Sequence, residues 1–99
     1  SDVENSIVIP GKIFEYIRAP GWILAMIPEG ETAEILRQAG GAIIVNGNDI
    51  EGIKNALYKL YLFYKKGKKP LRNQEYVSQF EEKEFQRKFA DYLNEVIKL

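Results

Sequence analysis

Trp22-Ile23-Leu24-Ala25-Met26-Ile27, closed by Pro28, and Ala42-Ile43-Ile44-Val45, opened by Gly40-Gly41, decide the fold. Neither run alternates apolar with polar residues. Each is too short for a helix, and each fits a strand buried on both faces, as in a parallel sheet. Between them Glu31 to Ala39 reads as a short helix, acidic in its first turn and stopped by the two glycines. A strand, a helix and a strand in that order predict a parallel pair joined by a crossover.

Outward from this unit the pattern is helical. Ile13, Phe14 and Ile17 place a short helix over Lys12 to Ala19, halted by Pro20-Gly21. Downstream, Asn46-Gly47-Asn48 is a turn and Asp49 a candidate N-cap. The next helix is expected to reach Lys66, with Ile50, Ile53, Leu57, Leu60, Tyr61 and Tyr64 as its apolar stripe and Gly67 to Pro70 as its stop. Residues 71–80 read as a short helix or turn, with Leu71, Tyr76, Val77 and Phe80 available for packing. A last helix is expected over Glu81 to Lys98, lined by Phe85, Phe89, Tyr92, Leu93 and Val96. Ser6 to Ile9 is a candidate third strand. The fold class is therefore α/β: a partial Rossmann-like parallel sheet flanked by helices, with long C-terminal helices. Two interior strands need neighbours on both edges. The chain is read as a single partial domain, completed by other sequence or by a second copy.

Composition narrows the chemistry. The 99 residues contain no cysteine and no histidine, which removes thiol nucleophiles, disulfides, Cys/His zinc sites and serine–histidine mechanisms. No metal or cofactor is implied. The longest apolar run, Trp22 to Ile27, is far short of the roughly 20 residues that span a bilayer, and no signal-peptide pattern opens the chain, so a cytoplasmic protein is expected. Fourteen basic and fourteen acidic residues cancel, which argues against a dedicated nucleic-acid binder. The distribution is uneven: Gly52 to Gln74 hold Lys54, Lys59, Lys65, Lys66, Lys68, Lys69 and Arg72 and no acid. A solvated helix face is the simplest reading of that stretch. Tyr58 and Leu62 beside the lysines also suit an anionic membrane surface or nucleic acid, and packing against a missing lobe is a third reading.

Ile9-Pro10-Gly11-Lys12-Ile13-Phe14-Glu15-Tyr16-Ile17 resembles the P-S-K-x-x-E-Y segment of retaining glycosyltransferases of the two-lobed GT-B fold. Pro28-Glu29-Gly30-Glu31-Thr32-Ala33-Glu34-Ile35-Leu36 is similar to that family's P-E-G-x-x-A-x-x-I. Ala39 to Val45, Asn48-Asp49-Ile50-Glu51-Gly52-Ile53, and finally Phe80 with Phe89 to Val96 follow the family's order over nearly the whole chain. The sequence departs from the pattern at Gly11, which replaces serine, at Ile7, where a sugar-contacting glutamate often stands, and at Pro20-Gly21-Trp22, which replaces a G-[KR]-P turn. The resemblance implies the last portion of the nucleotide-sugar-binding lobe, without the acceptor lobe and half of the donor lobe. The intact family transfers a sugar from a nucleotide-sugar donor to an acceptor hydroxyl.

Glu15 read alone is a solvated glutamate on a short helix. A carboxylate also accepts two charge-assisted hydrogen bonds from a vicinal diol, and the resemblance gives Glu15 the donor's ribose. Gly11 and Lys12 read alone are an ordinary helix start, or a place where backbone N–H groups meet phosphate. Glu29 to Glu34 read as favourable charge near a helix N-terminus. The chain is expected not to catalyse transfer by itself, because positioning fails when one wall of the cleft is absent. The competing reading is a non-enzymatic α/β interaction module that forms a homodimer through unpaired strand edges.

Overall fold

The computed structural model describes residues 12–98. The order is α1 (Ile13–Arg18), β1 (Ile23–Met26), α2 (Glu31–Ala39), β2 (Ala42–Val45), α3 (Ile50–Lys66) and α4 (Gln74–Ile97). Ser6 to Ile9, the candidate third strand, lies outside the described residues.

The two strands pair in parallel, Ile23 opposite Ala42 through Met26 opposite Val45, so the class is α/β as the two apolar runs require. The ladder continues past both ends: Ile23 N–H donates to Gly41 O and Ile27 N–H to Val45 O, both at 2.9 Å. Ile23, Ala25 and Ile27 point to one side, where they meet Ile13 and Ile17 of α1, Ala33, Leu36 and Ala39 of α2, and Val77 of α4. This is the core. On α3 only Ala56 is buried, and it stands outside that cluster while α3 packs on β2. Helix α3 therefore covers the opposite face. That cover is thin. The strands were expected to be buried on both faces, but β1 alternates between buried and half-buried and β2 is half-buried at all four positions.

Local chemistry sets the helix ends. Asp49 Oδ1 accepts the Gly52 N–H at 2.9 Å and caps α3. At the other end Gly67 adopts φ 67°, a left-handed C-cap that only glycine takes without cost. The expected break near residue 80 is absent. Asn73 Oδ1 accepts the Tyr76 N–H at 3.0 Å, and one helix runs from Gln74 to Ile97 with no glycine or proline inside it. Leu71, expected to pack, is exposed.

Arg72 ties these parts together. Its Nη2 donates to Ala19 O and Gly21 O, each at 2.7 Å, and its Nη1 donates to Gly40 O. One planar guanidinium thus gathers the exits of α1 and α2 and the approach to β1, which a lysine's compact ammonium reproduces poorly. Beside it, Asn73 N–H donates to Ala39 O at 2.7 Å. Gly40 and Gly41, at φ 83° and 72°, stop α2 as expected and also seat this fork. A Cβ on Gly41 would run into the Arg72 guanidinium and lie 2.8 Å from Pro70 Cβ. Partial burial lowers the Arg72 pKa, but an arginine stays protonated at any ordinary pH.

Arg72→Ala is expected to cost about 2–3 kcal/mol, by loss of charge-assisted hydrogen bonds, and Arg72→Lys to recover less than half of it. Thermal denaturation followed by circular dichroism reads this as a Tm loss on the order of 10–20 °C. Tyr76 supplies a pH test. Burial, and to a smaller degree the Glu34 carboxylate, pushes its phenol above the ordinary value. The folded state therefore holds that proton more tightly than the unfolded one. Its contribution is complete below about pH 10 and is lost as pH rises through the raised value. In a series of melts across this range, Tyr76→Phe is expected to lose less Tm with rising pH than the parent.

Candidate functional site

In open parallel sheets ligands bind beyond the carboxyl ends of the strands. Here that end is formed by the Ile27–Gly30 segment leading into α2 and the Asn46–Asp49 turn leading into α3. The turn is closed on itself: Asn46 Oδ1 accepts the Asn48 N–H at 2.9 Å, and Asn46 O accepts the Asp49 N–H at 3.0 Å. The first turn of α3 is already occupied by the Asp49 carboxylate. The first turn of α2 has no side-chain cap, but Glu29, Glu31 and Glu34 surround it. Glu29 and Glu34 share Arg37: Glu29 accepts from Arg37 Nη2 at 2.8 Å and 3.2 Å, and Glu34 from Nη1 at 3.3 Å. These hydrogen bonds raise the Arg37 pKa, Glu29 first. The pair of glutamates is thus a structural ion-pair cluster, in line with the helix-start reading. Among the described residues no group of three or more acidic side chains is placed to hold a metal ion.

Glu15 and Lys12 sit on α1. Ile13 and Ile17 are buried and fix that helix to the core, which turns Glu15 outward. Lys12 occupies the N-cap position and is also exposed. Three residues apart, the two side chains are neighbours on one exposed side of the helix. Glu15 is exposed, and no side-chain hydrogen bond joins its carboxylate to another of the described residues. Gly11 lies outside the described residues. With six residues α1 has little dipole to offer an anion, and Lys12 at the N-cap is the cation that the described residues place at its start.

Two grooves were not foreseen. The first, of 720 Å³, runs between α1 and α4, lined by Phe14, Glu81, Glu84, Phe85 and Lys88. Arg18 lies over the Phe14 ring at 4.9 Å. Carboxylates dominate this groove, and at its neighbouring lip Arg87 is held by Glu84 at 2.9 Å and Asp91 at 3.6 Å. The second, of 810 Å³, is lined by Trp22, Leu60, Tyr64, Lys68 and Lys69 with flanking prolines. Trp22 stacks on Phe63 at 4.5 Å and its Nε1 donates to Lys68 O at 3.1 Å. The Lys68 ammonium lies 4.7 Å from the Phe63 ring centre. The signal for this second groove was in the sequence as Gly21-Trp22 and the basic stretch, but only the fold brings residues 22 and 60–70 together.

Compared with family models, curated proteins and solved structures, the chain matches none of them.

Proposed function

We propose that the chain is the closing part of the nucleotide-sugar-binding lobe of a GT-B-like retaining glycosyltransferase, with Glu15 as the acceptor for the donor's ribose hydroxyls. The observation that carries the reading is the parallel β1–α2–β2 unit. Its sheet has two strands among the described residues, both with unpaired outer edges, and α1, whose Ile13 and Ile17 join the core with β1, exposes Glu15 and Lys12. The motif order along the sequence supports it further. The acidic carboxyl end of this sheet leaves the diphosphate to cations that Lys12 alone does not replace. In this reading the rest of the phosphate grip, and the wall that holds the acceptor, belong to other polypeptide. The chain alone does not catalyse transfer.

Isothermal titration of the folded chain with uridine and guanosine diphosphates is the test. One of them is expected to bind with Kd on the order of 0.1–1 mM, and Glu15→Gln to weaken it by about tenfold, the worth of one charged hydrogen bond. Absence of binding to either nucleotide by a normally folded chain, or equal binding by Glu15→Gln, removes the ligand reading.

A second reading, a self-associating α/β module, is favoured by one specific feature. Phe85, Phe89, Tyr92 and Val96 form an exposed stripe on the second half of α4, with Phe85 and Phe89 stacked at 6.1 Å. Multi-angle light scattering after gel filtration discriminates. A dimer that Phe85→Ser with Phe89→Ser returns to monomer supports self-association, and a monomer at all concentrations rejects it.

A further inference from the structure

Helix α3 was expected to bury Ile50, Ile53, Leu57, Leu60, Tyr61 and Tyr64 as one stripe. It buries the neighbouring side of the helix instead. Ala56 is buried, Ile53, Leu60 and Phe63 are half-buried, and Ile50, Leu57, Tyr61 and Tyr64 are exposed. At about 100° per residue these four side chains occupy an arc of roughly 60°, and Lys54, Lys65 and Tyr58 continue it on one flank over roughly another 60°. Lys68 and Lys69 follow at the helix end, against Tyr64. The outer side of α3 is thus an apolar and aromatic strip bordered by cations.

Charge chooses among the occupants of such a face. From Gly52 to Gln74 there are seven bases and no acid, and the one acid of α3, Glu51 in its first turn, pairs with Lys54 at 3.5 Å. The exposed stripe of α4 is the contrast, because over its own span, Phe85 to Ile97, two acids (Asp91, Glu95) balance two bases (Arg87, Lys88). A neutral apolar partner would favour neither over the other, but an anionic surface favours α3 alone. The components of the α3 face also divide by depth. Leu57 and Ile50 are wholly apolar, the tyrosines carry a polar tip on an apolar ring, and the lysines have long stems that keep their charge at a distance. That gradation suits a surface with an apolar interior and an anionic rim. A helix of 17 residues, about 25 Å long, can lie along such a surface. No described helix is long and apolar enough to cross a membrane, so contact in the interface plane is the geometry open to α3.

We propose that the exposed face of α3, with Lys68 and Lys69, is a docking surface for an anionic phospholipid membrane. Leu57, Tyr61 and Tyr64 enter the headgroup boundary, and Lys65, Lys68 and Lys69 meet the lipid phosphates.

The test is co-sedimentation of the full chain with vesicles of phosphatidylglycerol and phosphatidylcholine in equal parts, and with vesicles of phosphatidylcholine alone. Binding is expected to the anionic vesicles, to weaken as salt is raised, and to be absent on phosphatidylcholine. Trp22, the sole tryptophan, beside Tyr64, reports binding by its fluorescence. The pair Leu57→Ser with Tyr61→Ser is expected to lower partitioning by at least about tenfold, and the pair Lys65→Glu with Lys68→Glu to lower it as much. All four residues are exposed, so both variants keep the fold by circular dichroism. No binding to anionic vesicles overturns the proposal. So does retention on heparin or vesicles that the lysine pair abolishes and the Leu57–Tyr61 pair leaves unchanged, since that is polyanion binding without insertion. A dimer that the Leu57–Tyr61 pair dissociates also overturns it, because the face would then belong to a second copy.

Discussion

One arginine holds what the small core cannot. Arg72 reaches back more than thirty residues to Gly40 and more than fifty to Ala19 and Gly21, and places two helix exits and the approach to β1 on one guanidinium. Its weight follows from the size of the core. Of the ten buried apolar residues among those described, Ala25, Ala33, Ala39 and Ala56 are alanines, and each removes little area from water. A sheet of two four-residue strands adds few ladder bonds. In such a molecule a multidentate charged hydrogen bond is a large share of a margin that is small in any case. The Gly40–Gly41 pair, the turn at Pro20-Gly21 and the N-terminus of α4 all take their positions from it.

The same economy explains the outline of the molecule. Its radius of gyration is 16.1 Å, against about 13 Å for a compact chain of this length. Its long axis is 54 Å because α4 continues well beyond the last core contact. Two apolar faces are left over, and they differ in charge. The outer side of α3 is bordered by lysines, while the second half of α4 carries as many acids as bases. Both sheet edges are open among the described residues as well. The contacts proposed above, with the remainder of a sugar-transferring enzyme, a membrane surface or a second copy, each fall on a different one of these surfaces. Each face names a different chemistry for its contact.

Much of this was legible in the sequence. The two apolar runs gave both strands to within one or two residues. Asp49, Gly67 and Gly40 marked helix ends by chemistry that is local, a side-chain oxygen or a left-handed backbone, and local chemistry can be read from neighbours in the chain. The continuity of α4 was not read. Tyr76, Val77 and Phe80 lie on one side of that helix, and Phe85, Phe89, Tyr92 and Val96 lie roughly 150° away around it. A stripe that changes side resembles two helices, yet Asn73 caps the first turn and nothing inside breaks the rest. The first turns face the core and the later turns face away from it. For α3, periodicity marked an apolar side correctly but could not say that β2 would cover only one border of it. Arg72 had no signal at all beyond its membership of a basic stretch, because a side chain that bonds carbonyls fifty residues distant leaves no pattern in its own neighbourhood. For the candidate site, the exposed side of α1 that carries Glu15 and Lys12 followed from the spacing of Ile13 and Ile17. The acidic character of the sheet's carboxyl end became visible only when Glu29, Glu34 and Arg37 were seen together.

The central claim is that the Arg72 junction joins the first turns of α4 to the sheet as one cooperative unit, and that α4 beyond that unit has no partner within the described chain. Amide hydrogen exchange read by mass spectrometry tests it most directly. Peptides covering 23–27, 36–45 and 73–80 are expected to exchange together, at the free energy of global unfolding, while those covering 85–97 exchange far faster by local fraying. Exchange of 73–80 in step with 85–97 and well ahead of the strands would contradict the account, since α4 would then be a detached helix that Arg72 does not hold.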